Sequence, residues 1–241
     1  MTDAWLFLLR WFHFLAGITW IGMLYYFNFV QVPFFAGAEA PVRTGMITGG
    51  LVSRALWWFR WGAMLTFITG WLYLLHKWFQ FGFLGFFSQP YGWSILIGGI
   101  LGSLMWFNVW FIIWPAQQVV MASAARVKEG GQAIPEAAAR GARGGVASRT
   151  NTMLSIPMLF FMGAATHWPS LFMPTARPAK VAMLIAFLIF LVIVEGNAVV
   201  GPATPDKASA GKKLLSTVKG TLWAGFVLTA VLVILLKLIF G

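Results

Sequence analysis

The sequence predicts an all-α integral membrane protein: one domain over residues 1–241, a bundle of about six transmembrane helices with both termini outside, on the periplasmic face. Three observations predict it. Sixty per cent of the residues are hydrophobic and only 10% charged, with a mean hydropathy of +0.81. Too little polar surface remains for a water-soluble globule. Apolar runs near 20 residues, the length that crosses a bilayer as helix, recur along the chain. Basic residues cluster in alternate connections, as cytoplasmic loops require.

The six runs are residues 5–30, 55–78, 93–114, 152–173, 181–200 and 221–240. The start, Met1-Thr2-Asp3, has no basic lead and no small-residue cleavage pattern, so the first run reads as a retained helix rather than a signal peptide. The long connection is 115–150. Its alanine-rich stretches at 121–128 and 136–143 read as short helices broken by Gly130, Gly131 and Pro135, forming a basic cytoplasmic cap. Asn151 or Thr152 reads as the cap of the fourth helix. No internal repeat or second domain is visible.

Charge orients the bundle. Arg43, Arg54 and Arg60, then Arg126, Lys128, Arg140, Arg143 and Arg149, then Lys207, Lys212, Lys213 and Lys219 fall on one side, 12 of 17 basic residues. Lys77, Arg177, Lys180 and Lys237 fall on the other. The first side is therefore cytoplasmic. A net charge of +11 serves orientation and anionic-lipid contact in such a protein, not nucleic-acid binding.

Composition also limits the chemistry. With no cysteine, disulfides, iron–sulfur clusters, thiolate zinc sites and covalently attached c-type haem are excluded. Imidazole, thioether and carboxylate remain as ligands. The three histidines, His13, His76 and His167, lie within or at the edge of separate apolar runs, and the alternating topology brings all three to the outer leaflet. Imidazoles are expensive to keep in lipid without a role. This makes b-type haem the predicted cofactor, with His13 and His167 as iron ligands and His76 as a further candidate.

Neighbouring residues sharpen the assignment. Gly17 lies one turn deeper than His13 on the same face, and Gly163 and Ala164 one turn deeper than His167, leaving space for a flat macrocycle. Helix packing accounts for small residues as well, as along the Ser94, Gly98 and Gly102 ridge. Leu72 and Tyr73 fill the corresponding space beneath His76. Met158 and Met162 are deeper thioether candidates. Arg10, on the His13 face, suits haem carboxylates or snorkels to headgroups.

A second polar set lies at the opposite end: Asn28, Gln31, Asn108, Arg149, Asn151, Thr152, Ser155, Glu195 and Asn197. Glu195 is the only acid within a span and requires neutralisation or a partner, with Arg60 and Arg149 as candidates. Of this set, Asn108, Arg149, Asn151, Ser155 and Glu195 form the candidate catalytic pocket. Open to the cytoplasm, it would hold a planar, hydrogen-bonding substrate or relay protons; a purely structural role explains about half of it.

Several of these residues belong to longer patterns. Arg10-Trp11-Phe12-His13-Phe14-Leu15-Ala16-Gly17, then Trp106-Phe107-Asn108 through Trp114-Pro115-Ala116-Gln117, then Ser148-Arg149-Thr150-Asn151-Thr152, Ser155-Ile156-Pro157-Met158 and His167 resemble the membrane portion of the bacterial membrane-bound urate oxidase (urate hydroxylase) family. The likeness covers most of residues 5–170 and is most specific over 148–167. It implies the inner membrane of a bacterium as the setting, and a helical membrane domain that hydroxylates urate with water as oxygen source and passes electrons to a cytochrome c. Fuller members carry that cytochrome C-terminally. This chain ends after its sixth run and has no cysteine, so the expected acceptor is a separate cytochrome c.

The expectation is therefore a haem-binding oxidoreductase of the urate hydroxylase type. A purine-like substrate enters from the cytoplasm, and haem lies near the outer face. One distance strains this picture, because 16 residues of helix put Asn151 more than ~15 Å from His167. The rival is a non-catalytic subunit packed against other subunits of a respiratory or photosynthetic complex. A transporter lacks the paired helix interruptions that inverted repeats would show.

Overall fold

The structure, a computed structural model, describes residues 2–171, 177–204 and 207–240, and these are helical apart from short connections. The elements are α1 (Thr2–Tyr25), α2 (Val32–Gly37), α3 (Ala40–Thr48), α4 (Leu51–Phe81), α5 (Phe83–Phe87), α6 (Pro90–Phe107), α7 (Trp114–Lys128), α8 (Ala137–His167), α9 (Arg177–Val199), α10 (Ala210–Leu214) and α11 (Val218–Phe240). A 3-10 turn, Pro169–Leu171, follows α8. Residues 172–173, the end of the predicted fourth run, lie outside the described residues.

Glycine and proline set the ends. Gly82, with φ 69°, stops α4, and Pro90 opens α6 where its missing N–H is not needed. Gly130, with φ 82°, ends α7, as the Gly131 amide turns back to the Arg126 carbonyl at 2.9 Å.

Two rods are interrupted without being broken. Between α1 and α2 the chain runs through a π-helical segment, Tyr26–Gln31, and between α6 and α7 through another, Asn108–Ile113. Each is followed within two residues by a proline, Pro33 or Pro115. Neither can donate to the carbonyl four residues back, and the widened turn accommodates the lost bond. The Val32 amide reaches Phe27 and the Trp114 amide reaches Val109, the five-residue step of a π turn.

This geometry revises the predicted long connection. Residues 121–128 are the end of α7, continuous with the third apolar run, and 136–143 run into the start of α8. Pro115 does not stop the helix because it falls at the first turn of α7. The connection proper is 129–136. Asn151 and Thr152 accordingly lie in the middle of α8, not at its cap.

Among the described residues, three rods are long and apolar enough to cross a membrane: Asp3–Gly37, Pro90–Lys128 and Val218–Leu238. Leu184–Val199 is a shorter apolar stretch. α4 and α8, 31 residues each, are as long but more polar. α1 packs chiefly on α4, α6 on α8, and α8 also on α11 and α9. The approaches of Gly62 to Trp20 and of Gly70 to His13 make α1 and α4 antiparallel. Small residues permit the closest approaches. A β-carbon on Gly62 would meet the Trp20 amide at 3.1 Å, and one on Gly225 the Met153 carbonyl oxygen at 2.8 Å. The core of Leu24, Phe59, Leu101, Met105, Leu154 and Phe161 lies between these rods.

Candidate functional site

α1, α4, α6 and α8 enclose a cavity of about 680 Å³, within the range of cofactor and ligand sites. His13 from α1 and His167 from α8 both line it, with Arg10 and Gly17. Met158 and Met162 line its α8 wall. His76, half-buried farther along α4, does not belong to the lining.

His13 is held in one orientation. Its Nδ1 lies 2.9 Å from the Thr66 carbonyl oxygen, which can only accept, so Nδ1 carries the hydrogen. The Thr69 hydroxyl approaches the same nitrogen at 3.4 Å. Nε2 is left with its lone pair, the form in which imidazole binds a metal. Gly70 makes this placement possible, since a β-carbon there would lie 2.9 Å from His13 Cε1. His167, at the last turn of α8, is exposed.

The cavity runs along α1 from Arg10 to Gly22, about 18 Å of helix. At its shallow end the Arg10 guanidinium donates to the Tyr73 hydroxyl and lies over the Tyr73 ring, 5.0 Å from its centroid. Tyr91 shares this end. At the deep end lies Trp20, whose indole Nε1–H is buried without a partner.

The residues fit a haem on these observations. Gly17 and Gly22 leave room where side chains would intrude: a β-carbon on Gly17 would meet only Thr66 Cγ2 at 3.9 Å, and one on Gly22 nothing within 4 Å. No group of three or more His, Cys, Asp or Glu gathers to hold a bare metal ion among the described residues. Two imidazoles are too few for a protein-only site but suffice where a macrocycle supplies the other donors.

The second polar set is assembled on α8. The Asn108 amide donates to Asn151 Oδ1 at 2.9 Å and to Glu195 Oε2 at 3.1 Å, and the Asn151 amide to the Met105 carbonyl at 2.9 Å. Asn28 donates to Ser148 Oγ at 2.8 Å, and the Tyr25 and Ser155 hydroxyls lie 2.9 Å apart. Asn28 and Asn108 each sit in one of the two π segments, so the widened turns deliver both amides to α8. Sequence reasoning missed this device, although Phe-Asn followed by a proline five or seven residues after the asparagine was its signal.

Glu195 is partnered by an amide rather than by Arg60 or Arg149. The Arg60 guanidinium instead stacks on Trp114, 3.9 Å from its centroid, with Trp110 at 5.2 Å. An aromatic face satisfies the cation at lower desolvation cost than a buried ion pair. Asn108, Asn151 and Ser155 are completely buried. Several polar atoms at this end nonetheless lack partners: Gln31 Oε1, Asn108 Oδ1, Arg149 Nη1, Thr150 Oγ1 and Glu195 Oε1. So many orphans together mark where water or a polar ligand belongs.

The two sets are closer than helix rise from His167 suggests, because the cavity reaches Met158 on α8, one turn from Ser155. From Met158 to Asn151 is seven residues, about 10 Å. Cavity and polar cluster are therefore neighbours within one bundle.

Comparison with known proteins yields one family. No curated protein and no solved structure matches the chain. The family match spans Asn108, Arg149, Asn151, Ser155, His167 and Glu195, and leaves α1 with Arg10, His13 and Gly17, and His76, outside it. Over residues 78–196 the chain matches the model of the family described as urate oxidase N-terminal.

Proposed function

We propose that this protein is a membrane-embedded oxidoreductase of the urate hydroxylase type, holding b-type haem in the α1–α4–α6–α8 cavity and passing electrons to a separate cytochrome c. The observation that carries the reading is that two histidines from different rods line one cavity, with His13 held so that Nε2 is free. His13 and His167 would hold the haem iron, and Arg10 would meet the haem carboxylates. Haem bound there supplies a one-electron carrier within the membrane.

The remaining chemistry belongs to the polar end. Hydroxylation of a purine-type substrate with water releases two electrons and two protons. Asn108, Arg149 and Thr150 offer a planar substrate the donors and acceptors left unpaired in the cluster. Glu195, with one oxygen bound by Asn108 and the other free, is placed to take a proton. Tyr25 and Ser155 lie between the substrate end and the cavity.

We further propose that all six long helices span the inner membrane with both termini outside. Arg126, Lys128, Arg140 and Arg143, which flank the 129–136 connection, and Lys207, Lys212, Lys213 and Lys219 then face the cytoplasm, which supports this orientation.

Reduced-minus-oxidised spectra of the detergent-purified protein, followed by urate turnover with added cytochrome c, test the reading. A b-type spectrum and urate-dependent cytochrome c reduction are expected. Absence of haem from a folded sample would reject it in favour of a non-catalytic subunit. Haem without urate oxidation would reject only the substrate.

A further inference from the structure

Beside the histidine cavity, and sharing Phe67, Trp71 and Ser103 with it, lies a groove of about 730 Å³ between α6 and α9. Its lip is Phe107, Leu188 and Val192, which are 43, 45 and 72% exposed on the apolar outer surface. Only a lipid-soluble molecule reaches such a groove when the helices stand in a bilayer. Its floor is not wholly apolar. Glu195 and Trp106 both line it, and Glu195 Oε1 and Trp106 Nε1 are buried without hydrogen-bond partners.

A donor and a carboxyl oxygen, both unpaired, next to stacked aromatic rings, define the ligand. The Phe67 and Trp106 rings stack 4.2 Å apart, and the Trp71 indole N–H is already committed to Ser103 Oγ at 2.9 Å. An acyl chain would leave both polar atoms unsatisfied. A purine could not cross the lip from lipid. A flat ring bearing oxygens and an isoprenoid tail satisfies the floor and passes the lip.

We propose that this groove binds the head group of a membrane-soluble isoprenoid quinone, whose ring oxygens meet the Trp106 indole N–H and the Glu195 carboxyl. The site goes beyond the haem reading and stands without it; it takes the Glu195 oxygen that the purine reading uses as proton acceptor, so the two ligands would compete for that carboxyl. Only the shared wall of Phe67, Trp71 and Ser103 separates the two, so a quinone here lies against the haem cavity.

Photolabelling of the full chain in phosphatidylcholine nanodiscs, with a short-tailed azido-ubiquinone and mass-spectrometric mapping, tests the proposal. Saturable labelling of residues 100–107 and 188–195 is expected, competed by unlabelled decylubiquinone. Val192→Trp, at the exposed lip, lowers that labelling at least tenfold, and Leu188→Trp does the same should the first variant fail to fold. Glu195→Leu, which removes the hydrogen-bonding group, weakens competition several-fold. Labelling that is non-saturable, spread evenly over lipid-facing helices or unmoved by either tryptophan variant would overturn the site. A haem spectrum recorded on the same samples reports the haem reading separately: its absence alongside saturable labelling would reject the haem and leave this site standing.

Discussion

His13 lies over Gly70 so closely that a β-carbon on that residue would come within 2.9 Å of the imidazole Cε1. The ring owes its position to a missing side chain on α4 and its tautomer to the Thr66 carbonyl one turn away. Gly70→Ala must therefore displace the ring. Bound haem per folded chain is expected to fall about tenfold or more, the scale on which outer-shell changes weaken metal sites. Gly145→Ala, outside the cavity lining and with nothing within 4 Å of the new methyl, leaves His13 in place and retains haem. Haem content of the two purified variants makes the comparison.

Asn108 joins three helices through one amide group, donating to Asn151 on α8 and Glu195 on α9. Asn108→Ala strands both acceptors in a buried setting, at about 1–3 kcal/mol for each. Thermal melting in detergent should fall accordingly. Ser53→Ala, which removes only an exposed hydroxyl at the start of α4, should change stability by no more than ~0.5 kcal/mol.

The all-helical, apolar character was legible in the sequence because hydropathy is a long-range average that survives local irregularity. His13, His167, Arg10 and Gly17 were legible as neighbours because alternating helix direction follows from the apolar runs alone. The π segments were not. A proline near a predicted helix end reads as a boundary, and only the structure shows Pro33 and Pro115 inside continuous rods. The same reading misassigned Asn151 as a cap. Glu195 appeared to need an arginine because charge pairing is the nearest inference from composition. That Arg60 stacks on Trp114 depends on a contact between α4 and α7, 54 residues apart in sequence, which no local pattern carries.

Pro115 accounts for the second π segment, so Pro115→Ala should let an α turn form and rotate α7 relative to α6. The chain lacks cysteine, so an introduced pair reads this rotation cleanly. A β-carbon on Gly141 would lie 3.2 Å from Val120 Cγ2, where a cysteine sulfur would sit, so Val120→Cys with Gly141→Cys should cross-link on mild oxidation. Adding Pro115→Ala should reduce the yield several-fold on non-reducing gels.

Membrane orientation can be read from the same cysteine-free background. Single cysteines replacing Asp3 and Gln89 should react with an impermeant maleimide added from the periplasmic side, and those replacing Glu129 and Lys207 only after the inner face is opened. Reaction of Glu129→Cys from outside would reverse the assigned topology.

The most direct test of the whole account is haem stoichiometry in the purified protein and three single variants. Stoichiometric haem is predicted in the parent chain and in His76→Ala, whose residue lies outside the cavity lining, with loss in His13→Ala and His167→Ala. Equal haem content in all four, or none in a folded parent, would contradict it.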